Sequence, residues 1–245
     1  MSTREIVVGA TERLFNQKDL TAVDDLFGPV YVQHSALAPD GIEGLRGLVS
    51  GLSESAGYEL VRALADQDLV VTHGVFSGFA PVPLIGYDVW RVRDGRIVEH
   101  WDALGPASAP TGDGRSQTSG PGLSPGAHDT TTNKALVERL VQRVLIERAD
   151  ENLTDYLAPE LVEHDPAYPG GIDGFREALR AQVVTYDELH MVLADADFVY
   201  TRSQGTTDLP VIINDLWRIG DGRVAEHWSL TAPVPPYLPH GNGAF

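Results

Sequence analysis

GRIVEHWDAL at residues 95–104 returns as GRVAEHWSLT at residues 222–231. Each stretch starts on the glycine of an Asp-Gly pair and alternates apolar with polar residues around a Glu-His-Trp triplet. Asp-Gly between two β-rich runs signals a hairpin, so each stretch reads as the last strand of a meander. Asp102 in the first copy faces Ser229 in the second.

Working upstream, the likeness continues. GYDVWRVRDGRIVEHW aligns with INDLWRIGDGRVAEHW, and LADQDLVVTH with LADADFVYTR. LFGPVYVQHSALAPDGIEGLRGL aligns with YLAPELVEHDPAYPGGIDGFREAL, pairing His34 with His164, Gly41 with Gly171 and Gly44 with Gly174. The register slips by about three residues around FSGFAPVPLI, as a shortened loop would cause. The chain is a tandem duplication, with domains expected at residues 1–108 and 130–245. Residues 109–129 are rich in Pro, Gly, Ser and Thr and read as a linker or surface-hugging tail. The chain's end, APVPPYLPHGNGAF, has the same look.

Each copy places helices before strands. Ile6, Val7, Ala10, Leu14 and Phe15 recur at helical spacing behind a Ser2/Glu5 capping box, and Leu136 to Leu145 repeat that stripe. A short helix is expected over Thr21–Phe27, and another after Gly41 with Ile42, Leu45, Leu48, Val49 and Leu52 on one face. Four strand-like runs follow: YELVRALA, LVVTHGVF, LIGYDVWRV and RIVEHWDAL. Helices followed by a run of strands indicate an α+β domain with helices covering one face of an antiparallel sheet.

The bulk numbers exclude several classes of function. A net charge of −17 with no Lys/Arg-rich run argues against nucleic acid and anionic membrane surfaces as partners. With no cysteine, disulfides, thiolate nucleophiles and Cys-ligated zinc are excluded. The first residues, MSTREIVVGATERLF, have charges inside their apolar stretch and no cleavage pattern, so a signal peptide is not expected. No run approaches the length of an apolar membrane span, and a cytoplasmic location is expected.

The turn at Arg93-Asp94-Gly95 admits two registers. A two-residue type I′ loop sets Asp88 opposite Trp101, whereas a three-residue loop with Gly95 in a bulge sets Asp88 opposite His100. The bulged turn is preferred because it gathers Asp88, Trp90, His100 and Asp102 on one face. Two titratable groups held close in an apolar cavity drive their pKa values apart, as acid/base chemistry requires. The second copy supplies Asp215, Trp217 and His227, but Ser229 cannot accept a proton as a carboxylate does. Glu99, Trp101 and Arg91 are expected on the opposite face. His34 and His164 precede the PDG and PGG turns and fit a pocket role and a turn-fixing role equally. A metal site from His34, His100 and Asp102 lacks the close spacing such ligands usually show, and none is expected.

At these residues the chain resembles the SnoaL-like branch of the NTF2-like superfamily, which includes polyketide cyclases and is related to ketosteroid isomerase and limonene epoxide hydrolase. The likeness rests on YVQHSALAPDGIEG and DVWRVRDGRIVEHWD in the first copy, and on LVEHDPAYPGGIDG and DLWRIGDGRVAEHW in the second. It implies two cone-shaped α+β domains, each a curved sheet wrapped around helices. Because members pair as homodimers, it also implies an intramolecular pseudo-dimer, with further homodimerisation open. By motif, Asp102 matches the acid/base of the cyclases, and Asp88 and Asp215 match the isomerase's enolate-binding Asp. The isomerase base lies near His34, where a histidine departs from the isomerase pattern. The resemblance implies no metal or organic cofactor. The resulting expectation is a cofactor-independent acid/base enzyme acting on a hydrophobic carbonyl compound through His34, Asp88, His100 and Asp102. Trp90, His164, Asp215, Trp217 and His227 are expected to line ligand-binding pockets. The alternatives are a non-catalytic small-molecule-binding or interaction protein on the same fold, or an epoxide hydrolase.

Overall fold

In the computed structural model, which describes residues 1–111, 114–168 and 170–245, the chain divides into two compact units. The first is Met1–Ala107 together with Pro235–Phe245, and the second is Ser108–Val234. The proline-rich stretch after residue 108 thus belongs to the second unit. The chain's last eleven residues, expected with the second copy, belong to the first.

In the first unit, α1 (Thr3–Thr11) begins at Ser2, whose hydroxyl accepts the Glu5 N–H while Glu5 accepts the Ser2 N–H at 2.7 Å. This reciprocal cap satisfies two donors that a helix start leaves open. The helix widens into a π-turn over Glu12–Asn16. It is followed by α2 (Thr21–Leu26), β1 (Phe27–Gln33), α3 (Gly41–Ser50), β2 (Gly57–Asp66), β3 (Leu69–Ser77), β4 (Leu84–Arg93) and β5 (Arg96–Pro106). The second unit repeats the plan. It runs through α4 (Thr130–Leu140) with its π-turn (Val141–Ile146), α5 (Leu153–Tyr156), β6 (Leu157–Glu163), α6 (Gly171–Ala181), β7 (Thr185–Asp195), β8 (Phe198–Thr206), β9 (Pro210–Gly220) and β10 (Arg223–Pro233).

Both sheets are mixed rather than purely antiparallel. Their orders are β1-β5-β4-β3-β2 and β6-β10-β9-β8-β7, with β1 parallel to β5 and β6 parallel to β10. The extra strand in each unit follows α2 or α5 directly and hides in sequence behind Gly-Pro or Ala-Pro. The β3–β4 connection takes residues 78–83, while β8–β9 needs only 207–209, which accounts for the slip around FSGFAPVPLI. The helices lie against one face of each sheet. In the first unit Ile6, Val7, Leu14, Phe15, Leu45 and Val49 pack with Val70, Phe76 and Trp90, and each is at most 5% exposed. Gly44 is required where α3 crosses the preceding loop, because a Cβ there would lie 2.0 Å from the Pro39 carbonyl oxygen.

The hairpin resolves the register question in an unforeseen way. Asp94 (φ 50°) and Gly95 (φ 75°) form a two-residue turn with both residues left-handed, as type I′ demands. Three residues after Gly95, Val98 is bulged out, so pairing passes from Val92↔Ile97 to Arg91↔Glu99. The bulge restores the parity that the short turn would have flipped. Trp90 then faces His100, and Asp88 faces Asp102. The preferred face is correct, but the bulge lies in the strand rather than in the turn. Ala225 plays the same part in the second unit, setting Trp217 against His227 and Asp215 against Ser229.

Candidate active site

In the first unit four inward side chains come from two neighbouring strands: Asp88 and Trp90 on β4, His100 and Asp102 on β5. Trp90 stacks on His100 with ring centroids 3.9 Å apart, and its indole N–H donates to Thr72 Oγ1 at 3.2 Å. The His100 ring is held at both nitrogens. Nδ1 lies 2.9 Å from Gln33 Oε1, and Nε2 lies 3.1 Å from Asp88 Oδ1. Gln33 Oε1 also accepts the backbone N–H groups of His34 and Ser35, at 3.1 and 3.0 Å. An atom facing backbone donors must be the amide oxygen, so His100 donates through Nδ1 and directs Nε2 at Asp88. His100 and Asp88 therefore share one proton, as imidazolium and carboxylate or as imidazole and carboxylic acid. Asp102, half-buried, accepts the Ser35 hydroxyl at 2.7 Å. Burial, reinforced by the charges of Asp102 and Asp88, holds the Tyr31 phenol neutral by raising its pKa well above the usual range.

These groups line a narrow space walled by Phe15, Leu45, Leu48, Phe76 and Phe79. Its volume of about 20 Å³ admits one water molecule. Anything larger must part the apolar side chains at its rim, where Leu37 is 52% exposed. One nitrogen of His100 and one oxygen each of Asp88 and Asp102 lie within 4.8 Å of one another, a donor set that could also hold a divalent cation.

His34 is not among them. Strand alternation sends Gln33 and Ser35 inward and His34 to the opposite face. There it stacks on Trp101 at 4.6 Å, with Nε2 3.1 Å from Glu99 Oε1 and Nδ1 3.0 Å from the Gly243 carbonyl. Arg91 joins the same outward cluster, donating to Glu99 at 2.7 Å and to Asp68 at 2.9 Å. His164 repeats the arrangement, stacked on Trp228 at 4.3 Å and 2.9 Å from Glu226. The geometry therefore corrects the pocket roles expected for His34 and His164. Both anchor a tail segment, Gly243 in the first unit and Ser116–Ser119 in the second. Arg91 stays outward, as expected, and Arg218 pairs outward with Glu226 in the same way, so neither can serve an epoxide in the pocket.

The last residues of the chain tie down the loop that positions this site. Asn242 Nδ2 donates to the Gln33 carbonyl and to Asp40 Oδ1, both at 2.9 Å. His240 Nε2 donates to the Ser35 carbonyl at 2.9 Å.

The second unit keeps the frame and changes the charges. Glu163 replaces Gln33, so His227 lies between two carboxylates, 2.7 Å from Glu163 Oε2 and 3.2 Å from Asp215 Oδ1. Burial favours the neutral ring, but the two carboxylates outweigh it and raise the His227 pKa to about 10. Tyr186 donates to Asp215 at 3.1 Å, Trp217 stacks on His227 at 4.0 Å, and Tyr168 meets the same ring edge-on at 5.7 Å. Tyr168 stands where the first unit has Ala38 and packs its ring on Phe175 at 5.3 Å. Asp165 stands where the first unit has Ser35. Burial, with the charges of Glu163 and Asp215, raises its pKa to about 6. The carboxylate lost at Ser229 thus reappears on the adjacent loop. Gln33, Ser35, Glu163 and Asp165 were all missed, although QHS over EHD in the aligned copies displays every one of these exchanges.

Residues 8–100 match the model of the SnoaL-like domain. No curated protein matches the chain in sequence. Among solved structures it is similar to IdmH from Streptomyces antibioticus, a candidate polyketide cyclase. Identity is 25%, coverage 42% of this chain and 92% of that one, and TM-score 0.37. A candidate ketosteroid isomerase from Kribbella flavida is 20% identical over 44% of this chain and 85% of its own, with TM-score 0.39. An epoxide hydrolase from M. tuberculosis is 18% identical over 42% and 85%, with TM-score 0.37. No helix among the described residues is long and apolar enough to cross a membrane.

Proposed function

With a SnoaL-like domain over residues 8–100 as the premise, we propose that the first unit is an acid/base enzyme. Its substrate would be a hydrophobic carbonyl compound, and its reaction an aldol-type cyclisation or a related isomerisation or dehydration. The observation that carries this reading is the buried 3.1 Å contact between His100 Nε2 and Asp88 Oδ1, set beside Asp102 on the wall of a narrow cavity.

Asp102 would take the proton α to a carbonyl, with the Ser35 hydroxyl orienting its carboxylate. The Asp88–His100 pair would donate its proton to the enolate oxygen as negative charge develops there, the role that electrostatic preorganisation rewards most. The enol carbon then attacks a second carbonyl, its oxygen returns the proton to the Asp88–His100 pair as the first carbonyl re-forms, and the new alkoxide recovers a proton from Asp102. Protons balance over the cycle, and the chain's own side chains supply each of them. The test is exchange of α-protons for deuterium in hydrophobic β-dicarbonyl compounds, followed by NMR. Asp102→Asn should slow exchange about 10²–10⁴-fold; exchange unchanged in that variant removes the assignment.

The small cavity favours a second reading, a ligand-binding module without turnover. It predicts saturable binding of such compounds with no exchange, in wild type and in Asp102→Asn alike.

A further inference from the structure

We propose that the second unit holds a separate site for a small amphipathic monocarboxylate, at the ends of its helices. The duplication provides the comparison. In the first unit α3 reaches β2 through residues 51–56, and Leu52 from this connection packs on the core. In the second unit α6 reaches β7 through residues 182–184 alone. At the end of the first helix, Lys18 (φ 55°) turns its ammonium back onto the carbonyls of Phe15 and Ala56 and closes the gap. Its counterpart Arg148 has the same left-handed backbone (φ 62°). Its guanidinium has no hydrogen-bond or ion-pair partner among the described residues.

With the connection halved and the closing cation turned loose, a cleft of about 260 Å³ opens in the second unit. Val144, Leu145, Leu179 and Val184 form its apolar side, and Gln182 and Thr185 add polar lining. Two guanidiniums, Arg148 and Arg180, line its mouth, and Asp150 neutralises Arg180 at 2.7 Å. The mouth therefore keeps one uncompensated positive charge, in a chain whose net charge is −17. A cleft with one apolar side and a single free guanidinium fits a monoanion with a short hydrocarbon tail, bound by a charge-assisted bidentate contact. A dianion would lack a second free cation, and an amine would face Arg148 itself. None of Asp165, Asp215 or His227 lines the cleft, so this site stands apart from the acid/base cluster and from the function proposed for the first unit.

The experiment is calorimetric titration of the full chain with octanoate, using octylamine and octanol as controls for charge and for tail. One octanoate per chain is expected. Octanol should bind about tenfold more weakly, and octylamine should show no saturable binding. Arg148→Glu, at an exposed position where folding is not at stake, should weaken octanoate at least tenfold, and Arg148→Lys should retain part of the affinity. The proposal is overturned by no saturable binding of octanoate. It is equally overturned by two sites per chain, by equal binding of all three probes, or by indifference to Arg148→Glu. Deuterium exchange by the first unit should be the same in Arg148→Glu as in wild type, so either reading can fail without the other.

Discussion

Ser35 donates its hydroxyl proton to Asp102 across 2.7 Å, joining the loop after β1 to the last strand of the sheet. The second unit carries the same two residue types exchanged, Asp165 on the loop and Ser229 on the strand. Duplication followed by this exchange kept a carboxylate in each unit while moving its backbone anchor from one element to another. In the first unit the carboxylate borders a cavity; in the second, burial and the charges of Glu163 and Asp215 raise its pKa to about 6.

The hydroxyl at Ser35 holds the Asp102 carboxylate in place, so Ser35→Ala should impair the proposed proton abstraction without abolishing it. A hydrogen bond to a charged group contributes about 1.5–3 kcal/mol, so α-proton exchange should slow by roughly 10- to 100-fold. Asp102→Asn should cost more, about 10²–10⁴-fold, as loss of a general base does. Exchange rates followed by NMR check both. Equal rates in Ser35→Ala and wild type would show the contact to be structural only.

The duplication, the terminal hairpin and the face shared by Asp88, Trp90, His100 and Asp102 were legible in the sequence because all of them are local or periodic signals. Strand β1 was not, because Gly28 and Pro29 interrupt it and its partner β5 lies some 70 residues away. Missing β1 hid the parallel pairing of Gln33 with His100, and with it the group that fixes the His100 tautomer. It also misdirected His34, since one step along a strand exchanges pocket for exterior. The cavity's size was equally out of reach, because it depends on how Phe15, Phe76 and Phe79 close over strands they do not adjoin in sequence.

Gln33 and Glu163 are the residues that distinguish the two histidines. Gln33→Glu should place His100 between two carboxylates, as His227 is now, and hold it as imidazolium to higher pH. Proton exchange by the first unit should then fall, because the shared proton no longer leaves. The reverse change, Glu163→Gln, removes one of the two charges and should lower the His227 pKa from about 10. Nitrogen-15 NMR of the imidazole rings against pH reads both, and an unmoved His227 titration in Glu163→Gln would refute the account.

The second unit should lose stability as pH rises, in two steps. Asp165 titrates at about 6 in the folded state against an ordinary 3.8, so folding favours its protonated form. That contribution is full below pH 3.8 and is lost as pH climbs through 6, a change on the order of 3 kcal/mol. His227, at about 10 folded against 6.5 unfolded, contributes fully below pH 6.5 and loses its contribution as pH passes 10. Urea unfolding at a series of pH values should show both limbs. Asp165→Asn should flatten the acidic limb, and His227→Gln the alkaline one.

The tail over Pro235–Phe245 belongs to the first unit and holds its site from behind. His240 and Asn242 bond the backbone carbonyls of Ser35 and Gln33, the two residues whose side chains fix Asp102 and His100. Neither tail residue touches the cavity, so their effect must pass through the loop. Asn242→Ala removes two hydrogen bonds and should cost about 1–3 kcal/mol of stability, with His240→Ala costing about half as much. A purely structural tail would leave the His100 ring signals where they are. If the tail positions the site, the His100 Nδ1 proton held by Gln33 should broaden and exchange faster with water in both variants, while the His227 signals stay fixed as an internal control. Unchanged His100 exchange in Asn242→Ala, at a temperature where the protein remains folded, would sever the tail from the site.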